Sequence, residues 1–297
     1  AEALLAKAGP LKGIVDAVNV TDGASARVHM SSLASAGILA ANDIEPIAQF
    51  TCRDRNRIAL MSDLLGAAAL GVKAILVLNG DDPTAGDQPG AKPVFDLDSV
   101  SLLQIIRSMR DEGKFNSGRK IPSPPNIFLG AAANPFAPPY DWRPLRLAKK
   151  IDAGAQFVQT QYCYDIPMLE RYMTVVRDLG LDKKCFIIVG VGPMASARTA
   201  SWIRNNVPGV HIPDQVIDRL KGAENQKAEG KQICIELIQQ IRQIPGIHGV
   251  HVMAYRQEEY VTEIIADSGV LKNRIIDQLA AARFNALETQ TTRYKSA

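Results

Sequence analysis

The chain has 297 residues, 46% hydrophobic and 22% charged, with 34 basic against 31 acidic side chains and a net charge of +3. That near-balance argues against a nucleic-acid partner, and the apolar content is ample for a large core. Stretches such as GAAALGVKAILVLNG are interrupted by a charge or a glycine and fall short of the roughly 20 apolar residues of a membrane span. No membrane partner is expected, and AEALLAKAGPLKG at the amino end lacks the basic start and apolar block of a secretion signal. Cys52, Cys163, Cys185 and Cys234 lie far apart, with no CxxC pair and no histidine at ligand spacing. Buried reduced thiols, no metal site and a cytoplasmic setting are expected.

In chain order, the helix-like AEALLAKAGPLKG is followed by β-rich apolar runs at 13–20 (GIVDAVNV) and 45–52 (EPIAQFTC). A helical pattern at 55–71 leads to AILVLNG (74–80) and then to a long Gly-, Pro- and Asp-rich loop at 81–93, of the kind that carries function. A helix at 97–113 precedes NIFLGAAAN (126–134), one at 143–155 precedes QFVQTQ (156–161), and one at 166–180 precedes CFIIVGVGP (185–193). The apolar face of 228–246, closed by Pro-Gly, precedes GVHVMA (249–254). Continuous apolar strands alternating with helices predict a parallel sheet covered on both faces. Seven strands are one fewer than a barrel needs, and the opening segment looks like the helix that follows a first strand. The expected fold is α/β, a (β/α)8 TIM barrel whose first strand lies outside the given sequence; a seven-stranded open sheet is the competing arrangement. With no linker or composition shift, residues 1–297 form one predicted domain.

Such barrels place their active sites at the carboxyl ends of the strands. There the sequence sets Thr21-Asp22, Thr51-Cys52-Arg53-Asp54, Asn79-Gly80-Asp81-Asp82, Asn134-Pro135, Gln161-Tyr162, Gly190-Val191-Gly192-Pro193 and Tyr255-Arg256. This collection is rich in amides, and its one imidazole, His251, lies inside a strand. It resembles neither a Ser-His-Asp relay nor a set of metal ligands. It suits a flat heterocycle: Asn79, Asn134 and Gln161 pair donors with acceptors, Asp81 adds a carboxylate, and Tyr162 and Tyr164 offer rings. The same residue types are also ordinary turn formers, and their convergence on one face favours the binding reading. Arg143, Arg146, Lys149 and Lys150 form a second feature. The spacing 143/146/150 puts three cations on one side of a helix, suited either to a phosphate-bearing cofactor or to a solvated face.

The series NGDDP, AAANPF, KKIDAGAQFVQTQYCYD and VGVGP, in this order, resembles the methylenetetrahydrofolate reductase family from about residue 13 to 271. TCRDRNRIAL, RDEGKF, FLGAAANPFA and GVHVMA bring the resemblance nearest the branch found in acetogenic bacteria. The resemblance implies a barrel carrying a flavin, FAD with FMN as the alternative. It implies hydride transfer that reduces 5,10-methylenetetrahydrofolate to 5-methyltetrahydrofolate, the reductant and the folate using the flavin in turn. NADH or NADPH would be the donor, or an electron-delivering partner subunit, and a homo-oligomer is expected. By motif, Asp81 falls on an aspartate beside flavin and folate, and Gln161 on a glutamine that binds the pterin, with Tyr162 next to it on the substrate side. Thr21, Gln49, Asn79, Gly80, Asp81, Asn134, Arg146, Lys149 and Lys150 fall on the flavin cradle. Gln49 stands where enteric-type enzymes have histidine, Asn79 where they have arginine, and Asn134 where they have tyrosine. Arg146 and Lys149 replace an asparagine and an arginine, and Ala197 falls near a phenylalanine that holds the reduced nucleotide. The family's general-acid glutamate, in an E-x-x-P-P setting on the first strand, matches no residue of this sequence. The competing functional readings are a non-catalytic folate- or flavin-binding subunit of a redox complex and an unrelated barrel lyase. The lyase would need a lysine or a metal at a strand end.

Overall fold

The computed structural model describes residues 1–254 and 257–271, so the strand-end pair Tyr255-Arg256 lies outside the described residues. Helix α1 (Glu2–Ala8) precedes β1 (Val18–Val20), α2 (Ser32–Ala40), β2 (Pro46–Thr51) and α3 (Arg57–Ala69). Next come β3 (Ala74–Leu78), α4 (Ser99–Asp111), β4 (Phe128–Ala133), α5 (Trp142–Asp152), β5 (Phe157–Tyr162) and α6 (Ile166–Asp178). The order closes with β6 (Phe186–Val191), α7 (Ala197–Asn206), α8 (Asp214–Gly222), α9 (Gln226–Ile241), β7 (Gly249–Val252) and α10 (Val261–Ser268). Every predicted apolar run overlaps one of these strands, β5 running one residue beyond its run to Tyr162. The first is only three residues long and pairs with β2 alone, and the chain reaches it through a turn at Gly13, whose φ of +77° suits glycine.

All seven strands are parallel and pair in sequence order, with β1 and β7 as the edges of one sheet. The sheet curls, since one cavity is lined from β2, β3, β4, β5 and β7 together. Beyond β7, Ala254, Val261 and Ile265 pack against Leu11, Ile14 and Val15, which precede β1. The fold is therefore the expected α/β barrel architecture with seven of its strands among the described residues. Helices start on side-chain caps: Asn56, Asp98, Asp165, Ser196 and Asn225 each accept a backbone N–H of the first turn of α3, α4, α6, α7 and α9.

Alternation along each strand separates two interiors. One face, with Ala48, Phe50, Ile75, Val77, Leu129, Val158, Ile187 and Val189, packs against the helices. The four cysteines are free and buried as expected. Burial raises the Cys52 thiol to about 11 and those of Cys163 and Cys234 to about 12, so they stay protonated and unreactive. On the other face Phe157 stacks on Phe128 with centroids 5.0 Å apart, and Phe128 meets Phe186 at 6.1 Å. Phe186 meets His248 edge-on at 5.1 Å. Gly130, the register partner of Phe157, leaves the space that the ring fills; a Cβ there would overlap the ring. No helix among the described residues is long and apolar enough to cross a membrane.

Gly130→Ala is expected to destabilise the chain by about 2 kcal/mol through overpacking. Adding Phe157→Leu should recover part of that loss. Chemical denaturation of the two variants and the parent measures both effects.

Candidate active site

Above the aromatic plug the inner face changes to small and polar residues: Gly130 and Ala132 on β4, Gln159 and Gln161 on β5, Gly190 on β6 and His251 on β7. This change in side-chain size opens a cavity of about 360 Å³, within the range of small-molecule sites. Leu76 and Leu78 form an apolar wall, Gln49 and Asn134 supply amides, and Arg143, Arg146 and Lys150 of α5 supply positive charge.

Gln161 follows Phe157 and Gln159 on the cavity face, and β5 turns irregular around it. The β5–β6 register shifts between Gln159 and Tyr162, and Thr160 Oγ1 takes the Gly190 N–H at 2.9 Å. Such a bulge re-aims the side chain beside it. It requires glycine at 190, because a Cβ would lie 2.8 Å from the Gln161 carbonyl oxygen. Gln161 Oε1 accepts the Tyr162 N–H at 3.0 Å, which leaves the amide NH₂ as the group offered to a ligand. Asn134 Oδ1 accepts the Phe136 N–H at 3.1 Å, and Gly209 closes over its amide nitrogen.

On α5, Lys150 Nζ donates to the Ala132 carbonyl at 2.6 Å, and Arg143 holds the carbonyls of Ala137 and Pro138, both at 2.6 Å. Burial first, and the charges of Arg146 and Arg143 second, lower the Lys150 ammonium to about 8. Three cations converge on one wall, and the closeness that depresses the lysine is what an arriving anion would relieve.

The remaining predicted positions lie outside the cavity lining. Asp81 stands exposed on the rim, where its Oδ2 accepts the Ser25 N–H at 3.0 Å and its carbonyl oxygen receives Arg53 Nη1 at 3.4 Å. Asp81 and Gln161, expected beside one ligand, occupy the rim and the interior of the same barrel end. Asn79 Oδ1 takes the Ser99 N–H at 2.8 Å and serves the start of α4. Gly80, with φ of +97°, lets the chain pass within contact of Thr51 and Arg53. Thr21 is exposed at the end of β1, and Lys149 faces solvent on α5. Tyr162 turns from the cavity and donates its hydroxyl to the Met253 carbonyl at 2.8 Å. It stacks on Tyr164, whose hydroxyl donates to the Gly192 carbonyl at 2.8 Å. These rings are therefore struts between strand ends and not platforms for a ligand. Sequence reasoning passed over Gln159, although alternation from Phe157 points to it as directly as to Gln161.

A second network sets the rim on the β1–β2 side. Asp22 accepts the N–H and hydroxyl of Thr51 at 2.9 and 3.0 Å and pairs with Arg55. Arg53, 4% exposed, grips Asp54 with two bonds of 2.7 Å and holds that carboxyl below its usual range. Because the Arg53 guanidinium also touches the Asp81 carbonyl, the rim acid sits against a fixed cation.

Comparison with known proteins identifies the family and the fold. The family described as methylenetetrahydrofolate reductase matches residues 4–269. A Caenorhabditis elegans protein named "Probable methylenetetrahydrofolate reductase (NADPH)" is 26% identical over 255 residues, covering 83% of this chain and 35% of that protein. The 5,10-methylenetetrahydrofolate reductase of Salmonella typhimurium is 24% identical over 240 residues, covering 79% of this chain and 73% of that protein. The chain thus spans about a third of the length of the nematode relative and about three quarters of the bacterial one. Among solved structures, a Clostridium thermocellum protein described as binding two copies of 5-methyl-5,6,7,8-tetrahydrofolic acid superimposes with a TM-score of 0.61 at 15% identity, covering 90% of this chain and 87% of that one. That likeness is one of fold. With nearly its whole barrel matched, the chain belongs to the methylenetetrahydrofolate reductase family.

Proposed function

We propose that this chain reduces 5,10-methylenetetrahydrofolate to 5-methyltetrahydrofolate, using a flavin held in the cavity at the carboxyl end of the barrel. Membership of the family and the pairing of an amide-lined interior with a cationic wall carry this reading. The donor set fits a flavin: Arg143, Arg146 and Lys150 suit a phosphate-bearing chain, Gln49 and Asn134 a planar polar ring, and Leu76 and Leu78 its face. When bound, the flavin supplies hydride to the methylene carbon. Gln161 orients the pterin through its free NH₂. From the rim, the Asp81 carboxylate, held by the Ser25 N–H, would stabilise positive charge developing on the folate. FAD is the expected form, FMN the alternative. A folate ligand in the structural neighbour is in keeping with this assignment. The reduced, buried thiols suit a cytoplasmic setting.

The donor is the second question. Ala197, where the resemblance implies a nucleotide-holding phenylalanine, is a buried small residue whose N–H donates to Gln226 Oε1 at 2.9 Å. This favours electrons arriving from a partner protein over direct use of NADH or NADPH.

Reconstitution tests the reading. The chain mixed with FAD or FMN should retain a yellow chromophore through gel filtration, and after photoreduction methylenetetrahydrofolate should reoxidise it. Failure to retain either flavin would overturn the proposal. Asp81→Asn should slow the folate half-reaction by about 100-fold while changing flavin reduction far less, as rapid-mixing absorbance would show. Lys150 generates a pH effect. Its charge is present below about 8 and lost above it, so affinity for FMN should begin to fall as pH rises through 8. Riboflavin, which lacks phosphate, should show no such fall, and Lys150→Arg, charged throughout, should abolish it.

A further inference from the structure

Two polar side chains on the inner wall have no role in the assignment above. Gln159 on β5 is 7% exposed, and His251 on β7 lies inside its strand; both line the cavity. Among the described residues neither side chain has a hydrogen-bond partner within the protein, although the neighbouring Gln161 and Thr160 are both engaged. Polar groups in the cavity wall bond only what fills the cavity, whereas an apolar residue would close the wall without that demand, as Leu76 and Leu78 do on β3. Register places the two residues on the strands that flank β6, lining one cavity. Gln159 is level with Ile188 and Gly249, and His251 is level with Gly190, one step higher. Gly190 and Gly249 add no side chain on this face, so of the residues at these two levels of β6 and β7 only Ile188 stands between them. Burial lowers the His251 imidazolium to about 4. At pH 7 only about one ring in a thousand is protonated, so the ring is a poor proton donor. It is instead a fixed neutral group with one N–H and one lone pair.

We propose that Gln159 and His251 are specificity-determining residues that together read the uncharged –CO–NH– edge of a planar heterocycle entering the floor of the cavity. The amide and the neutral imidazole each offer one donor and one acceptor, which matches an edge alternating carbonyl and N–H. An imidazolium would offer donors only and would repel the N–H of that edge. The pyrimidine ring of a flavin and the pterin ring of a folate both carry such an edge. The inference rests on the proposed function and adds which atoms of the ligand the floor recognises.

Calorimetric titration of the full chain with FMN and, separately, with 5-methyltetrahydrofolate tests it, each ligand being compared with its N3-methylated form. Methylation removes the N–H and should weaken binding to the unmutated chain about tenfold for whichever ligand the floor reads. Gln159→Leu and His251→Leu should each weaken the unmodified ligand about tenfold and erase most of the methylation effect. His251→Gln, which keeps a donor and an acceptor, should restore most of the affinity. A loss confined to FMN assigns the edge to the flavin, and one confined to the folate assigns it to the pterin. The methylated ligands need no variant, so a variant that fails to fold does not shield the idea. If both ligands bind the unmutated chain and neither methylation nor any folded variant shifts affinity by more than twofold, this inference is wrong and the proposed function stands. If neither ligand binds, both fall together.

Discussion

The architecture depends on one packing constraint: residues two apart on a strand share a face, so side-chain size along that face decides where the barrel is solid and where it is hollow. At the amino end Phe128, Phe157 and Phe186 fill the interior against one another. Two residues further along β4 and β5 stand Gly130 and Gln159, and two further again Ala132 and Gln161. The rings prevent collapse from below, while the small residues leave room for a ligand above. Gly130 serves both ends, since its missing side chain seats Phe157.

The polar residues at the strand ends divide by task. Some are consumed by the backbone: Asn79 and Asp98 serve the start of α4, Asp82 its own turn, and Asp165 the start of α6. Others keep hydrogen-bonding capacity for the cavity, among them Gln49 and Gln161. Charge is divided in the same way. Acids lie on the rim, mostly bound to Arg53, Arg55 or backbone N–H groups, and the cations of α5 line the interior. An anionic ligand is thus drawn past the rim toward α5, and the acids are left near the more exposed part of what binds.

This division explains what was legible in the sequence. The strands could be read because a parallel strand buried on both faces is a continuous apolar run, as in AILVL and FIIVGV. The cationic face of α5 could be read because helical spacing alone places 143, 146 and 150 together. The split between cap and ligand could not, since asparagine and aspartate suit both and only tertiary distance separates them. Tyr162 misled for a similar reason: a ring beside a binding glutamine looks like a stacking platform, and the β5 irregularity turns it toward Met253 instead. Helices α7 and α8, short and polar on one side, gave a weaker signal than the long apolar faces of α4 and α9.

The tyrosine struts have a mechanical consequence. Tyr162 and Tyr164 tie the end of β5 to segments following β6 and β7, while Asp22, Thr51 and Arg55 clamp the ends of β1 and β2. The mouth is therefore braced on two sides, and between them Lys150 ties α5 to the end of β4, which the sheet also bonds to β3 and β5. Each brace closes on groups of the protein itself, so neither needs a ligand to complete its hydrogen bonds.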